Sequence, residues 1–290
     1  VHLKSVTYQN QLMQVSAIIA TYNRAGHISK AAASVLGQSL KDLELIVIDD
    51  GSTDSTRDVL QNFKDKRLKF FYQENKGVAA ARNLGLKMAR GRYVALLDSD
   101  DYWLEDKLML QVRFMRDTGF MVSQTLEAWV RGHETVSQGV KHQKYAGWIF
   151  EKSLDMCLIS PSCVMLDQDL VRQGYLFNED LPACEDYDLW VRLTLRYPVG
   201  LLPRVLTVKQ GGRGDQLSRK IIGMDLWRIY ALSGLLQRKG LPRDKQAKVM
   251  DALEQKAKVY TAGCLKRGIE VEALRIKNLV ASHKQKKADP

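Results

Sequence analysis

Residues 94–103 read VALLDSDDYW. Tyr93 and the run Val94 to Leu97 favour burial, and they lead directly into Asp98, Asp100 and Asp101. One reading is a strand ending in a solvated turn, because Asp and Ser favour turns and helix N-caps and cost little in water. The other is a cation site, with Asp98 and Asp100, two apart at the carboxyl end of a strand, presenting oxygen ligands to a hard metal ion. The spacing leaves both open.

Upstream, "VSAIIA" (15–20), "LELIVI" (43–48), "RLKFFY" (67–72) and "RYVALL" (92–97) are short runs rich in Val, Ile and aromatics, the signature of strands. Between them, "AGHISKAAASVLGQ", "STDSTRDVLQNF" and "GVAAARNLGLKMARG" space apolar residues three and four apart, with Ser, Thr or Gly near an end, the signature of helices. Strand and helix units with short connections predict an α/β fold with a doubly wound, mostly parallel sheet. Such sheets bind ligands outside the carboxyl ends of their strands. Here those ends read "ATYNR", "DDGSTD", "QENKG" and "DSDD". A solvated turn explains one acidic end, but explains two facing the same crevice less well.

Downstream, residues 119–166 are less regular, with strand-like "FMVSQTLEAWV" and "SCVML" followed by helical "LDQDLVRQG". "CEDYDLWVRLTLRYP" predicts a helix with Glu185 and Asp186 in its first turn. From Gly223 the pattern is helical almost to the end, where "HKQKKADP" is expected to fray.

The 290 residues, 45% hydrophobic and 27% charged, can bury one large core with a small addition, which argues against disorder. No run approaches the roughly 18 apolar residues of a membrane span, and the opening "VHLKSVTYQNQ" lacks the apolar core of a secretory signal. The chain opens on Val1, so what precedes it lies outside this reading. Cys157, Cys163, Cys184 and Cys264 form no CxxC pair and no zinc spacing, so reduced thiols and a cytoplasmic setting are expected. The net charge of +11 is uneven, since residues 221–290 hold 15 Lys+Arg against 7 Asp+Glu.

Three segments, "VSAIIATYNRAGHISKAAASVLGQSLKDLELIVIDDGSTDST", "ENKGVAAARNLGLKMARGRYVALLDSDDYW" and "ACEDYDLWVRL", in this order, resemble the family 2 glycosyltransferases of GT-A fold. The resemblance spans residues 14 to about 220. It implies a catalytic domain over 1–220, with a nucleotide-binding half at about 14–101 and an acceptor-binding half at about 102–220, followed by a basic helical extension over 221–290. It also implies an inverting enzyme that moves a sugar from a nucleotide-diphosphate donor, UDP first, to a hydroxyl of a carbohydrate or lipid-linked glycan in cell-surface polysaccharide or lipopolysaccharide synthesis. Such a reaction has to neutralise a leaving diphosphate and deprotonate an acceptor, needs that a divalent cation and a carboxylate meet.

By this resemblance Asp98, Ser99 and Asp100 form a DxD motif for Mn2+ or Mg2+, with Asp100 as direct ligand and Asp98 on the ribose or a metal-bound water. Thr21, Tyr22 and Asn23 pack around base and ribose, and Asp49, with Asp50 as its neighbour, accepts from the base's ring N–H. Gly77 allows close backbone approach, and Arg82 reaches the diphosphate or the base. Asp186 matches the ED motif as general base, with Glu185 before it. Trp190, one turn on, either stacks on an acceptor sugar or fills core. One departure stands in "KQGGRGDQLSR" (209–219), which resembles a loop that closes over the donor: Arg213 occupies the place where many similar enzymes carry a His. Arg cannot ligate a cation but pairs with phosphate, which weakens the implied metal dependence. An ordinary flexible loop is the competing reading.

Other classes fit less well. A nicotinamide dehydrogenase would carry GxGxxG where "TYNRAG" stands. A nucleotidyltransferase handles similar substrates but does not by itself require a base such as Asp186. The basic tail motivates a nucleic-acid-binding protein, yet it has no recognised motif and no basic-aromatic interleaving, so no nucleic-acid partner is expected. Its amphipathic helices suit docking on the catalytic domain, a homo-oligomer, or peripheral contact with the inner face of the cytoplasmic membrane.

Overall fold

Four apolar runs become β1 (Val15–Thr21), β2 (Leu43–Asp49), β3 (Leu68–Tyr72) and β4 (Tyr93–Leu96), pairing in parallel in the order β3-β2-β1-β4. Every residue of β2 and β4 is buried, as expected of strands covered on both faces. The computed structural model describes residues 13–132, 134–137, 139, 142–211 and 223–288.

The alternation along β1 and β2 assigns the two faces. Val15, Ala17 and Ile19 with Leu43, Leu45 and Val47 pack against α1 (Ala25–Leu36), Leu60 of α2 (Thr56–Gln61) and α4 (Lys107–Thr118). Ile18, Ile46 and Ile48 pack against α3 (Val78–Met88) and α7 (Glu185–Thr194). Helices on both faces make the fold doubly wound. α2 starts later than its sequence signal because Asp54 accepts from the Thr56 N–H at 2.9 Å and from the Ala25 N–H at 3.1 Å, serving the starts of two helices.

Beyond β4 the sheet becomes mixed. β5 (Tyr102–Trp103), β6 (Val122–Arg131), β7 (Glu134–Val136), β8 (Val164–Asp167) and β9 (Val199–Gln210) extend it in the order β4-β8-β6-β9-β5, with β7 on β6. β8 lies antiparallel to both β4 and β6, whereas β9 runs parallel to β6. Strand β9 is unpredicted for a physical reason. Pro203 and Arg204 fall where the pairing jumps from Thr125↔Leu202 to Leu126↔Val205, and this irregularity, with exposed residues, breaks the apolar pattern. α4 is also unpredicted, although Leu108, Val112 and Met115 follow helical spacing.

α5 (Phe150–Asp155), a 3-10 turn at Pro161–Cys163 and α6 (Gln168–Arg172) complete this half. Three C-terminal helices follow, α8 (Met224–Leu236), α9 (Arg243–Lys266) and α10 (Glu270–Ala288). Ile229, Leu232, Leu253 and Ile276 share a core with Phe150 of α5 and with Tyr187 and Val191 of α7. α7 is therefore clamped between the sheet and the C-terminal helices, which fixes the direction of its first turn. The "HKQKKADP" segment stays helical through Ala288 rather than fraying at its start.

Candidate active site

The carboxyl ends of β1 and β2 are held together by Asn23. At a φ of 51° its Oδ1 accepts from the Thr53 N–H at 2.7 Å, and its own N–H donates to Ser52 Oγ at 2.9 Å. Among the described residues only Asn23 and Cys184 are non-glycines with positive φ, and both sit at this cleft, where over-determined backbone strain is characteristic. Tyr22, 45% exposed, stands free of the core.

The two acids after β2 divide the work. Asp50 accepts from Gln73 Nε2 at 2.6 Å, from the Lys76 N–H at 2.9 Å and from the Gly77 N–H at 2.9 Å, so both oxygens are occupied in shaping the loop before α3. Asp49 accepts from the Ser52 N–H at 2.9 Å through Oδ1, while its Oδ2 is buried without a hydrogen-bond partner. Thr21, its register partner on β1, has a buried hydroxyl in the same condition. Buried polar atoms are seldom left unpaired, so this strand end is a place where a ligand's donor would be stabilising. Gly77 takes a φ of 89° and has nothing within 4 Å of where a Cβ would stand, so the start of α3 is open.

One guanidinium joins the two acidic motifs. Arg82 of α3, buried, donates to Asp98 Oδ1 at 2.7 Å and to Glu185 Oε1 at 2.6 Å, partners 16 and 103 residues away in sequence. In this structure both ends of the Arg82 guanidinium are engaged by protein carboxylates. Burial opposes its charge, but Asp98 and Glu185 hold it firmly protonated. Burial likewise opposes ionisation of Asp98, but Arg82 and Lys209 keep its carboxyl below the usual range. Glu185 moves the other way, because burial and the neighbouring Asp186 outweigh Arg82.

Within the DSDD turn the acids are not equivalent. Asp101 is buried and accepts from Ser162 Oγ at 2.7 Å and from the Gln210 N–H at 3.1 Å. Burial, with Asp98 and Asp100 adding to it against Lys209, lifts its carboxyl to about 7. It anchors the turn and offers no free oxygen to a cation. Asp98 and Asp100 are half-buried, with Ser99 buried between them. Two hard carboxylates fit Mn2+ or Mg2+, which keep waters and take phosphate oxygens. Among the described residues no group of three or more metal-ligating side chains forms, so a cation here would complete its shell from water and diphosphate.

Asp186 is half-buried at the start of α7, and Cys157 Sγ lies 3.4 Å from its Oδ2. Burial, then Asp186 itself, pushes the Cys157 thiol well up, so it stays a donor to the carboxylate. Trp190 is a core residue: 1% exposed and edge-on to Phe177 at 6.1 Å, it has no face open to an acceptor sugar. Arg213 lies outside the described residues.

Sequence reasoning missed the support beneath these acids. Lys209 of β9 donates to Ser160 Oγ at 3.1 Å; burial opposes its charge, but Asp101, Glu127 and Asp98 hold it above the ordinary lysine range. Glu127 pairs with Lys144 at 3.2 Å and accepts from Trp129 Nε1 at 2.8 Å. Lys209 opens the segment read as a closing loop and Lys144 and Glu127 belong to segments with no motif, so only the fold brings the three together.

An α/β sheet with acidic motifs gathered at its carboxyl edge matches the GT-A fold, and comparison with known proteins agrees. The family model for glycosyl transferase family 2 matches residues 16–173, and the chain belongs to that family. An uncharacterized glycosyltransferase of Rickettsia conorii is 36% identical over 195 residues, 67% of this chain, but only 32% of that protein. The chain thus spans about a third of the length of the Rickettsia relatives it matches. The Escherichia coli UDP-Glc:alpha-D-GlcNAc-diphosphoundecaprenol beta-1,3-glucosyltransferase WfgD is 36% identical over 180 residues, 62% of this chain and 69% of that protein. In structure, S. aureus TarS 1-349 in complex with UDP-GlcNAc matches with a TM-score of 0.68 at 18% identity, covering 94% of this chain and 92% of that one. A mannosyltransferase from Pyrobaculum calidifontis in complex with GDP-Man and Mn2+ matches with a TM-score of 0.56 at 21% identity, covering 94% of this chain and 79% of that one. At these identities the two structures speak to fold alone.

Proposed function

We propose that this chain is an inverting glycosyltransferase that moves a sugar from a UDP-sugar to a hydroxyl of a lipid-linked glycan during polysaccharide synthesis. The observation that carries the reading is the Arg82 bridge, which brings Asp98 of the DxD motif and Glu185 of the ED motif to one guanidinium at the sheet's carboxyl edge. The relative named for UDP-Glc and a diphosphoundecaprenol acceptor supports the donor and acceptor classes.

In this reading Thr21 and Asp49 offer the buried acceptors for the base. Asp98 and Asp100 hold Mn2+ or Mg2+, which when bound supplies positive charge to the departing diphosphate. Asp186 accepts the acceptor's proton as its oxygen attacks the anomeric carbon from the face opposite the nucleotide, giving inversion. Cys157 orients Asp186, and Glu185 links it through Arg82 to the donor side.

Peripheral membrane contact belongs to the same reading. Among the described residues no helix is long and apolar enough to cross a membrane. Val259, Leu265, Val271 and Leu274 on the C-terminal helices and Ile269 between them are exposed, near in sequence to Lys258, Lys266 and Lys277, a combination suited to an anionic interface.

The test is transfer from UDP-glucose to a GlcNAc-diphosphoprenol acceptor, comparing the protein with its Asp186→Asn variant. A fall of roughly 100-fold or more in kcat is expected for loss of a general base. An Asp186→Asn variant at full rate would remove the assigned base, and no transfer with any nucleotide sugar would remove the enzyme.

A further inference from the structure

α7 has a second functional end. It is ten residues long, so its last turn lies about 15 Å from Glu185 and Asp186. There, between α7, the loop after α6 and the end of α8, opens a cleft of about 460 Å³ whose wall includes Arg192, Arg196, Arg238 and Lys239 but no carboxylate. The volume falls in the range of small-molecule sites, roughly 300–1,000 Å³.

Arg192 is buried, 8% exposed, and is fixed by its own partners: Nε and Nη2 donate to Asp188 Oδ2 at 2.8 and 2.6 Å, and Nη2 also donates to the Leu176 carbonyl at 2.6 Å. That leaves its Nη1 group without a protein acceptor in a residue that lines the cleft. Asp188 balances Arg192, so the net charge of the cleft comes from Arg196, Arg238 and Lys239, all exposed and none in an ion pair among the described residues. Arg196 is positioned by donating to the Gly240 carbonyl at 3.0 Å. Two helix C-termini meet here, and their partial negative charge offsets only part of three cations. Leu195 and Leu241 add an apolar wall.

We infer that this cleft is a binding site for a phosphate ester, separate from the donor site. Planar guanidinium donors around a concave site favour a phosphate group, and the volume and leucine wall leave room for what the phosphate carries. The ligand can be a soluble sugar phosphate or the headgroup of a lipid, and the chemistry recognised is the same.

The test is calorimetric titration of the whole chain with pyrophosphate, with glucose 1-phosphate and with dihexanoyl phosphatidic acid kept monomeric. Each probe is also titrated into an Asp98→Asn/Asp100→Asn variant, which disables the donor site, and into Arg238→Glu/Lys239→Glu. Binding that survives the donor-site substitutions and weakens at least tenfold on charge reversal is the expected result. A soluble probe binding more tightly identifies a metabolite, and the lipid binding more tightly identifies a headgroup. If no probe binds the donor-site variant, or if charge reversal leaves affinity unchanged, the site does not exist. Should the reversed variant unfold, Arg196→Glu carries the same comparison.

Discussion

Lys107, the first residue of α4, stands four residues beyond the DSDDYW turn, and its environment makes a sharp stability prediction. Its side chain is fully buried, its Nζ has no hydrogen-bond partner, and it lies 3.9 Å from the centroid of the Trp103 ring. Burial pulls its ammonium down to about 7 from the ordinary 10.5. Each pH unit of that difference is worth about 1.4 kcal/mol, so carrying a charged Lys107 into the core costs on the order of 5 kcal/mol. The sign follows from the depressed value: between about 7 and 10.5 the unfolded chain binds more protons than the folded one, so this residue's contribution to stability rises with pH across that window. Lys107→Met removes the charge and keeps the bulk. Urea unfolding of both proteins at pH 7 and pH 10 is the assay. The variant is expected to be more stable by about 4 kcal/mol at pH 7, with most of that difference gone at pH 10. A destabilised variant, or a difference independent of pH, would mean that the amine has a partner and the reasoning is wrong.

Three further expectations follow from the site and its supports. Arg82→Lys puts a single point charge where a fork holds two carboxylates, and transfer is expected to fall about 100-fold in kcat with a smaller change in donor KM, measured by steady-state kinetics. Glu127 is held down to about 2, burial being outweighed by Lys144 and Lys209, so the stability it contributes is present above about 4.5 and lost as pH falls toward 2. Glu127→Gln should therefore flatten that stretch of the urea-measured stability profile and cost about 3 kcal/mol at pH 7. Val271 and Leu274 are 84% and 59% exposed, so Val271→Glu/Leu274→Glu should abolish co-sedimentation with anionic vesicles while leaving the unfolding free energy within about 0.5 kcal/mol of the parent. Retained vesicle binding would discard that face as the contact.

The parallel half of the sheet, β1 to β4, was legible because local pattern and burial coincide there. Buried parallel strands such as β4 read as unbroken apolar runs, and their polar carboxyl ends marked the crevice. The DxD and ED acids were legible as motifs, but their relation was not, because the Arg82 bridge depends on contacts across 103 residues. Asp49 and Asp50 are adjacent and chemically identical. Only the loop at residues 73–77 separates their roles, by occupying Asp50. Trp190 is on the helical turn after Asp186, which sequence spacing gives correctly. Whether that turn faces a cleft or a core depends on α7 being packed on both sides. Lys209 sits on a strand broken by Pro203, so neither the strand nor its buried cation had a periodic signal.

The central claim is that the acids at the sheet's carboxyl edge form a nucleotide-diphosphate site, and thermal unfolding tests it most directly. The protein and its Asp100→Asn variant are melted with UDP, GDP, dTDP or CMP, each with and without Mn2+. At about 100 times its dissociation constant a ligand adds about 2.7 kcal/mol, a shift of roughly 5 °C for a chain of this size. The account predicts such a shift with UDP and Mn2+ together, and its loss in Asp100→Asn. No shift with any nucleotide, or an equal shift in the variant, would contradict it.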